Sequence, residues 1–142
     1  MTDKQTNKIK KDYLYRYKNL ENSIARLEEE EERWRTKAEK MNKAITDMPH
    51  GGNGEDPREI AILNMLDCSE KAAEKRICQI KVKEEIEATI ESVKDESLKL
   101  LLTYRYIDCL TWEQVAVALS KSWRQTHRLH AEALNKINLK MA

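Results

Sequence analysis

The chain has little that breaks a helix and little that fills a large core. Of its 142 residues only three are glycine and two proline. All five fall in Met48-Pro49-His50-Gly51-Gly52-Asn53-Gly54-Glu55-Asp56-Pro57, so nothing outside that one stretch interrupts a helix. Phenylalanine is absent and aromatic residues make up 6%, whereas 36% are charged. This inventory argues against a large globular core and suits long helices with charged outer faces. The three cysteines, Cys68, Cys78 and Cys109, match no zinc or disulfide spacing, as expected of a reduced cytosolic protein. No apolar run approaches membrane-spanning length, and Met1-Thr2-Asp3-Lys4 lacks the apolar core of a signal peptide. The expectation is a cytoplasmic protein with no membrane contact.

The formal net charge of +1 conceals an uneven distribution. Residues 120–142 hold five basic side chains and one acidic, and residues 55–93 hold six basic and ten acidic. A basic tail beside an acidic middle suits a protein with one end turned toward nucleic acid. The acidic run Glu28–Glu32 reads as a solvated helix face.

Before the glycine-rich stretch, apolar residues alternate at three and four: Tyr13, Tyr17, Leu20, Ile24, Leu27, then Trp34, Ala38, Met41, Ile45 and Met48. This is a heptad seam interrupted at Glu31. A helix of about 40 residues would be on the order of 60 Å long and needs a partner along its stripe. The segment 58–93 supplies one, with Ile62, Leu63, Leu66, Ala73, Ile77, Ile80, Ile86, Ile90 and Val93 as its apolar positions. Its spacing drifts between Ile77 and Ile86, which predicts a rotating, irregular seam. Asp56 and Pro57 form an N-cap and first-turn pair for this helix. The glycine-rich stretch is read as an interhelical loop, because no Gly-Lys-Ser/Thr follows it and no strand precedes it. Two helices bury only a narrow stripe, so self-association, as a homodimer or higher homo-oligomer, is expected to complete the core.

The fold class is therefore all-α. Residues 1–94 form a long antiparallel, coiled-coil-like hairpin with its loop at 48–57, and residues 95–142 form a C-terminal helix-turn-helix domain. In that domain Leu98, Leu101, Leu102, Tyr104 and Ile107 give a supporting helix its packing face. Two Ser/Thr-x-x-Gln capping boxes follow, Thr111-Trp112-Glu113-Gln114 and Ser122-Trp123-Arg124-Gln125. About a dozen residues separate the two helix starts, room for one short helix and a tight turn. Val115, Ala116 and Leu119 face inward on the first helix, and Thr126, Leu129, Ala133 and Ile137 on the second.

Opposite that inner face lie Arg124, Arg128, Ala131 and Asn135, flanked by Gln125, His127 and Glu132. Arginine suits guanine and Gln or Asn suits adenine, and the helix start at Lys121 and Ser122 suits a phosphate. The candidate DNA-binding residues are Lys121, Ser122, Arg124, Gln125, His127, Arg128 and Asn135. Trp123 is placed by its angle at the core edge beside Leu134, and His130 at the border of the core. His127, His130 and Cys109 lack the tight partner pairs of a metal site, so neither metal nor cofactor is expected. No catalytic constellation is present, so an enzyme is not expected.

The segment Leu101-Leu102-Thr103-Tyr104-Arg105-Tyr106-Ile107-Asp108-Cys109-Leu110-Thr111-Trp112-Glu113-Gln114-Val115-Ala116 resembles region 4 of bacterial sigma factors. Residues Ser122 to Ile137 are similar to the recognition helix that closes that region. Together with the long first helix, the Met-Pro-x-Gly-Gly-x-Gly loop and the second helix, the chain resembles small phage-encoded regulators of the ArpU type. The resemblance implies a phage or prophage protein that binds double-stranded DNA and controls late or packaging genes. Two alternatives are a small DNA-packaging (terminase) subunit and a coiled-coil module whose partner is RNA polymerase. Cys109 and Ser120 stand at turns where the sigma pattern often has glycine. The basic stretch Lys8, Lys10 and Lys11 reads as a frayed, solvated helix end.

Overall fold

The computed structural model describes residues 3–45 and 56–139, and the described residues contain helices and no strand. In chain order the elements are α1 (Asp3–Leu14), α2 (Arg16–Ile45), α3 (Pro57–Glu91), α4 (Glu96–Leu102), a π-helical turn (Thr103–Ile107), α5 (Trp112–Leu119) and α6 (Trp123–Lys136). None of these helices is long and apolar enough to cross a membrane. The side chains of Ile45 and Met48, and residues 46–55 of the glycine-rich stretch, lie outside the described residues. At the end of that stretch Asp56 caps α3 as expected, its Oδ1 accepting the Arg58 N–H at 2.9 Å.

The chain forms two compact units, one of Leu20–Cys78 and the other of Met1–Asn19 with Gln79–Ala142. In the first unit α2 turns its heptad seam inward, with Ile24 and Ala38 buried and Leu20, Leu27, Glu31, Trp34 and Met41 half-buried. Glu31 keeps its seam position because Arg35, one turn on, pairs with its carboxylate at 3.1 Å. The α3 seam differs from the sequence expectation. Its inward residues are Ala61, Met65, Cys68, Ala72 and Lys75, a four-three alternation built on small side chains, while Leu63, Leu66 and Ile77 stay exposed. Small residues let two helices approach closely, so packing selects them over the larger leucines and isoleucines. An Arg76–Glu28 ion pair bridges the two helices of this unit. Burial, with Glu30 and Asp67 nearby, raises the Cys68 thiol pKa above its ordinary value.

The second unit gathers its core around Leu14, Val82, Ile86, Ile90, Val93, Leu98, Leu101, Leu102, Val115, Leu134 and Ile137, all buried. α1 and α2 are separated only at Tyr15, and the backbone ladder runs through it, from Tyr15 N–H to Lys11 at 2.9 Å and from Asn19 N–H to Tyr15 at 3.0 Å. Lys10 is not a frayed end. Its Nζ donates to the Leu134 carbonyl near the C-terminus of α6 at 2.8 Å, where a cation also complements the helix dipole. Asp95 caps α4 by accepting the N–H groups of Ser97 at 2.9 Å and Leu98 at 3.3 Å. The π turn then takes up one extra residue. Tyr106 rather than Tyr104 becomes buried, four residues beyond Leu102 on the same face.

Both turns flanking α5 pass through the left-handed region at a residue other than glycine, Cys109 at φ 57° and Ser120 at φ 55°. At Ser120 the chain reverses in a Schellman closure: Lys121 N–H reaches the Ala116 carbonyl at 3.0 Å, and Ser120 N–H the Val117 carbonyl at 3.1 Å. A Cβ in this conformation costs about 1–2 kcal/mol, partly offset by the greater freedom glycine has in the unfolded chain. Ser120→Gly should therefore raise the unfolding free energy by about 0.5–1 kcal/mol. Urea denaturation checks this, and an unchanged or lowered midpoint would show the turn to be unstrained.

Candidate nucleic-acid interface

α6 is fixed at its start by local chemistry. Ser122 Oγ accepts the Gln125 N–H at 3.1 Å, and Gln125 Oε1 accepts the Ser122 N–H at 3.1 Å. Thr111 and Gln114 repeat the arrangement at the start of α5, at 3.2 and 2.9 Å. Both capping boxes are thus complete, each satisfying two N–H groups that the helix leaves free. α5 and α6 are the two helices joined by the Ser120 turn. Val115 and Ala116 from α5, and Thr126, Ala133 and Leu134 from α6, are buried. Thr126 stays satisfied in the core because its hydroxyl donates to the Ser122 carbonyl at 2.8 Å.

With that face buried, the opposite one is set. Lys121, Ser122, Arg124, Gln125, Arg128 and Asn135 are all exposed. Residues 124, 128 and 135 lie along one stripe, since four and seven residues return to nearly the same helical angle. Among the described residues no salt bridge involves Arg124 or Arg128. Among those residues, neither guanidinium group is committed to a carboxylate. Gln125 is exposed, but its carbonyl oxygen is committed to the cap, which leaves its amide N–H groups as donors.

His127 is placed apart from these six. It is half-buried in a ladder of rings that begins at Trp123, 4.0 Å from His127 between centroids. The ladder continues from His127 to Trp112 at 4.7 Å, from Trp112 to His130 at 4.4 Å and from His130 to Tyr106 at 5.8 Å. Arg105 lies over Trp112 at 4.6 Å. Trp123 is not at the core edge beside Leu134. It is 61% exposed and rests on His127, because the tight Ser120 turn leaves the first turn of α6 projecting into solvent.

His130 is buried, and its Nε2 is 2.7 Å from the Tyr106 hydroxyl. Burial, together with Lys11, His127 and Arg105, pushes its pKa down to about 3. Burial, then Arg105 and Lys11, lowers the pKa of His127. Burial raises that of Tyr106, so the pair stays neutral and hydrogen-bonded at physiological pH. These groups line a cleft of about 190 Å³ with Lys11, Asp12, Tyr15, Arg105 and Trp112. Arg105 Nε and His127 Nε2 are buried there without a hydrogen-bond partner among the described residues.

The arrangement is a rigid, neutral-cored support for one exposed, cationic helix face. That face carries donors suited to oxygen and nitrogen acceptors. Sequence reasoning missed the ring ladder, since Tyr106, Trp112, Trp123, His127 and His130 come together only when the π turn and the Ser120 turn are in place. The one sequence signal was the concentration of tryptophan directly after each capping residue. No family model, no curated protein and no solved structure matches this chain.

Proposed function

We propose that the chain is a sequence-specific DNA-binding transcriptional regulator of the phage-encoded ArpU type. In this reading α5 and α6 form a helix-turn-helix, and α2 and α3 an antiparallel hairpin that carries it. The observation that carries the proposal is the exposed row of Arg124, Arg128 and Asn135 on a helix whose other face is locked into the core. An α-helix fits the major groove, where arginine reads guanine through O6 and N7 and asparagine reads adenine. Gln125, with its carbonyl in the cap, would donate to guanine or to thymine O4 instead of gripping adenine with both ends. Lys121 and the capped start of α6 would hold a backbone phosphate and set the helix at its depth in the groove.

Two cross-helix ion pairs, Arg76–Glu28 in one unit and Arg16–Glu85 at 2.9 Å in the other, support the antiparallel reading of the hairpin. The earlier α2 residue, Arg16, pairs with the later α3 residue, Glu85, and the later one, Glu28, with the earlier one, Arg76. The test is a fluorescence-anisotropy titration of the protein on duplex DNA across a range of salt concentrations. The logarithm of the binding constant should fall linearly with the logarithm of salt, by about 0.9 for each phosphate neutralised. A flat response, or no binding at low salt, would overturn the reading. Co-purification of RNA polymerase in that case would favour the interaction-module alternative.

A further inference from the structure

α3 carries two apolar seams on opposite sides, and among the described residues only one of them is covered. The outer seam runs Leu63, Leu66, Glu70, Ala73, Ile77 and Ile80, an unbroken three-four alternation. Its large members are 64%, 54%, 71% and 63% exposed, in the order Leu63, Leu66, Ile77, Ile80. Isolated exposed apolar side chains are ordinary, but four large ones in heptad phase over about 26 Å of helix are a coiled-coil seam without its second strand. They leave an apolar strip on the order of 400 Å² on each copy, the size that marks interaction surfaces.

We propose that this seam binds a second copy of the same chain, α3 against α3 in antiparallel orientation. The inference deepens the oligomeric part of the function proposed above and does not depend on DNA binding. The pattern is self-complementary about a two-fold axis between residues 71 and 72. Leu63 meets Ile80 of the second copy, Leu66 meets Ile77, and Glu70 meets Ala73. Every large apolar side chain then has a large apolar partner, and the one charged seam residue lies against the smallest. A parallel pairing in register would set Glu70 against Glu70 inside the seam, where two like charges are desolvated together.

The area agrees with this pairing. Two strips bury roughly 800 Å², and the aliphatic stems of Lys81 and Lys83 with Ile60 and Ile62 bring the total near the ~1,200 Å² of the smaller specific interfaces. The flanks contain one mismatch that fixes the test. Antiparallel pairing brings Asp67 of one copy near Glu74 of the other, tolerated because Asp67 is already paired with Lys71 at 2.9 Å.

Sedimentation equilibrium on the full chain tests the proposal in three arms. The wild type should be a dimer in the micromolar range. Leu66→Glu with Ile77→Glu should raise the dissociation constant at least 100-fold, with helicity by circular dichroism unchanged because both side chains are exposed. Glu74→Lys, which would turn the flanking repulsion into an Asp67–lysine pair, should tighten the dimer several-fold. A wild type that stays monomeric at hundreds of micromolar, or a dimer that survives the double glutamate substitution, would overturn the assigned face. A dimer weakened by the glutamates but not tightened by Glu74→Lys would overturn the antiparallel pairing.

Discussion

Replacing Arg124 and Arg128 together by alanine is expected to abolish sequence-selective DNA binding while leaving the fold intact. A base-reading arginine contributes about 1–3 kcal/mol of discrimination. If the two read different bases, the joint loss is about 2–6 kcal/mol, between roughly 30-fold and more than 10⁴-fold in affinity. The stability cost is small by contrast. Both side chains are exposed and, among the described residues, outside any ion pair, and alanine is the best helix former. The two substitutions also remove adjacent like charges four residues apart on one helix, which favours the helix slightly. A gel-shift titration with specific and scrambled duplexes separates the roles. Loss confined to the specific duplex marks base reading, and an equal loss on both marks phosphate contact. Wild-type affinity in the double variant would remove this face of α6 from the account.

The second large effect is on stability at mildly acid pH. His130 is held neutral in the folded chain, at a pKa of about 3 against about 6.5 when unfolded. Between these values the unfolded state binds the proton and the folded state does not, so the stability contributed by neutral His130 is complete above pH 6.5 and is lost as pH falls. At pH 5 the loss is about 2 kcal/mol, from one and a half pH units at about 1.4 kcal/mol each. The groups facing His130 all act in this direction. Lys11 comes from α1, Arg105 from the π turn and His127 from α6, and each opposes a further positive charge. His127, lowered by burial and by Arg105 and Lys11, adds to the same slope.

Urea denaturation at pH 7.5 and pH 5.0 measures the loss. His130→Gln should be less stable than the wild type at pH 7.5, because Tyr106 loses its ring partner, yet should show a shallower decline between the two pH values. An equally steep decline in that variant would show that His130 is not its source.

The two capping boxes were fully legible in the sequence because a cap is local chemistry: a hydroxyl and an amide three residues apart satisfy N–H groups in the same turn. The α2 seam is legible for the same reason except at Glu31, where the expected interruption is instead a half-buried seam position paired with Arg35 one turn away. α3 was misread because its two seams differ in size. The large Leu63, Leu66, Ile77 and Ile80 drew attention to the outer face, while packing used Ala61, Cys68 and Ala72, whose value appears only when a second helix lies close. The apparent drift between Ile77 and Ile86 was a step from one seam to the other, not a rotation.

Three further features depend on distant contacts. The π turn has no sequence signature, and it decides that Tyr106 enters the core. Lys10 finds its carbonyl 124 residues away. A helical angle alone places Trp123 at the core edge, and the tight turn that projects it outward is not visible in that angle. The exposed row of Arg124, Gln125, Arg128 and Asn135 needed none of these. It follows from one helical period and one buried face.

Hydroxyl-radical footprinting on a library of phage and host genomic DNA is the most direct test that this face reads sequence. The expected result is a protected site of defined sequence, in two half-sites spaced by about one helical turn, or 34 Å, or a multiple of it. Protection should disappear in the Arg124→Ala/Arg128→Ala variant. Uniform, sequence-independent protection, or none with the protein folded, would contradict it.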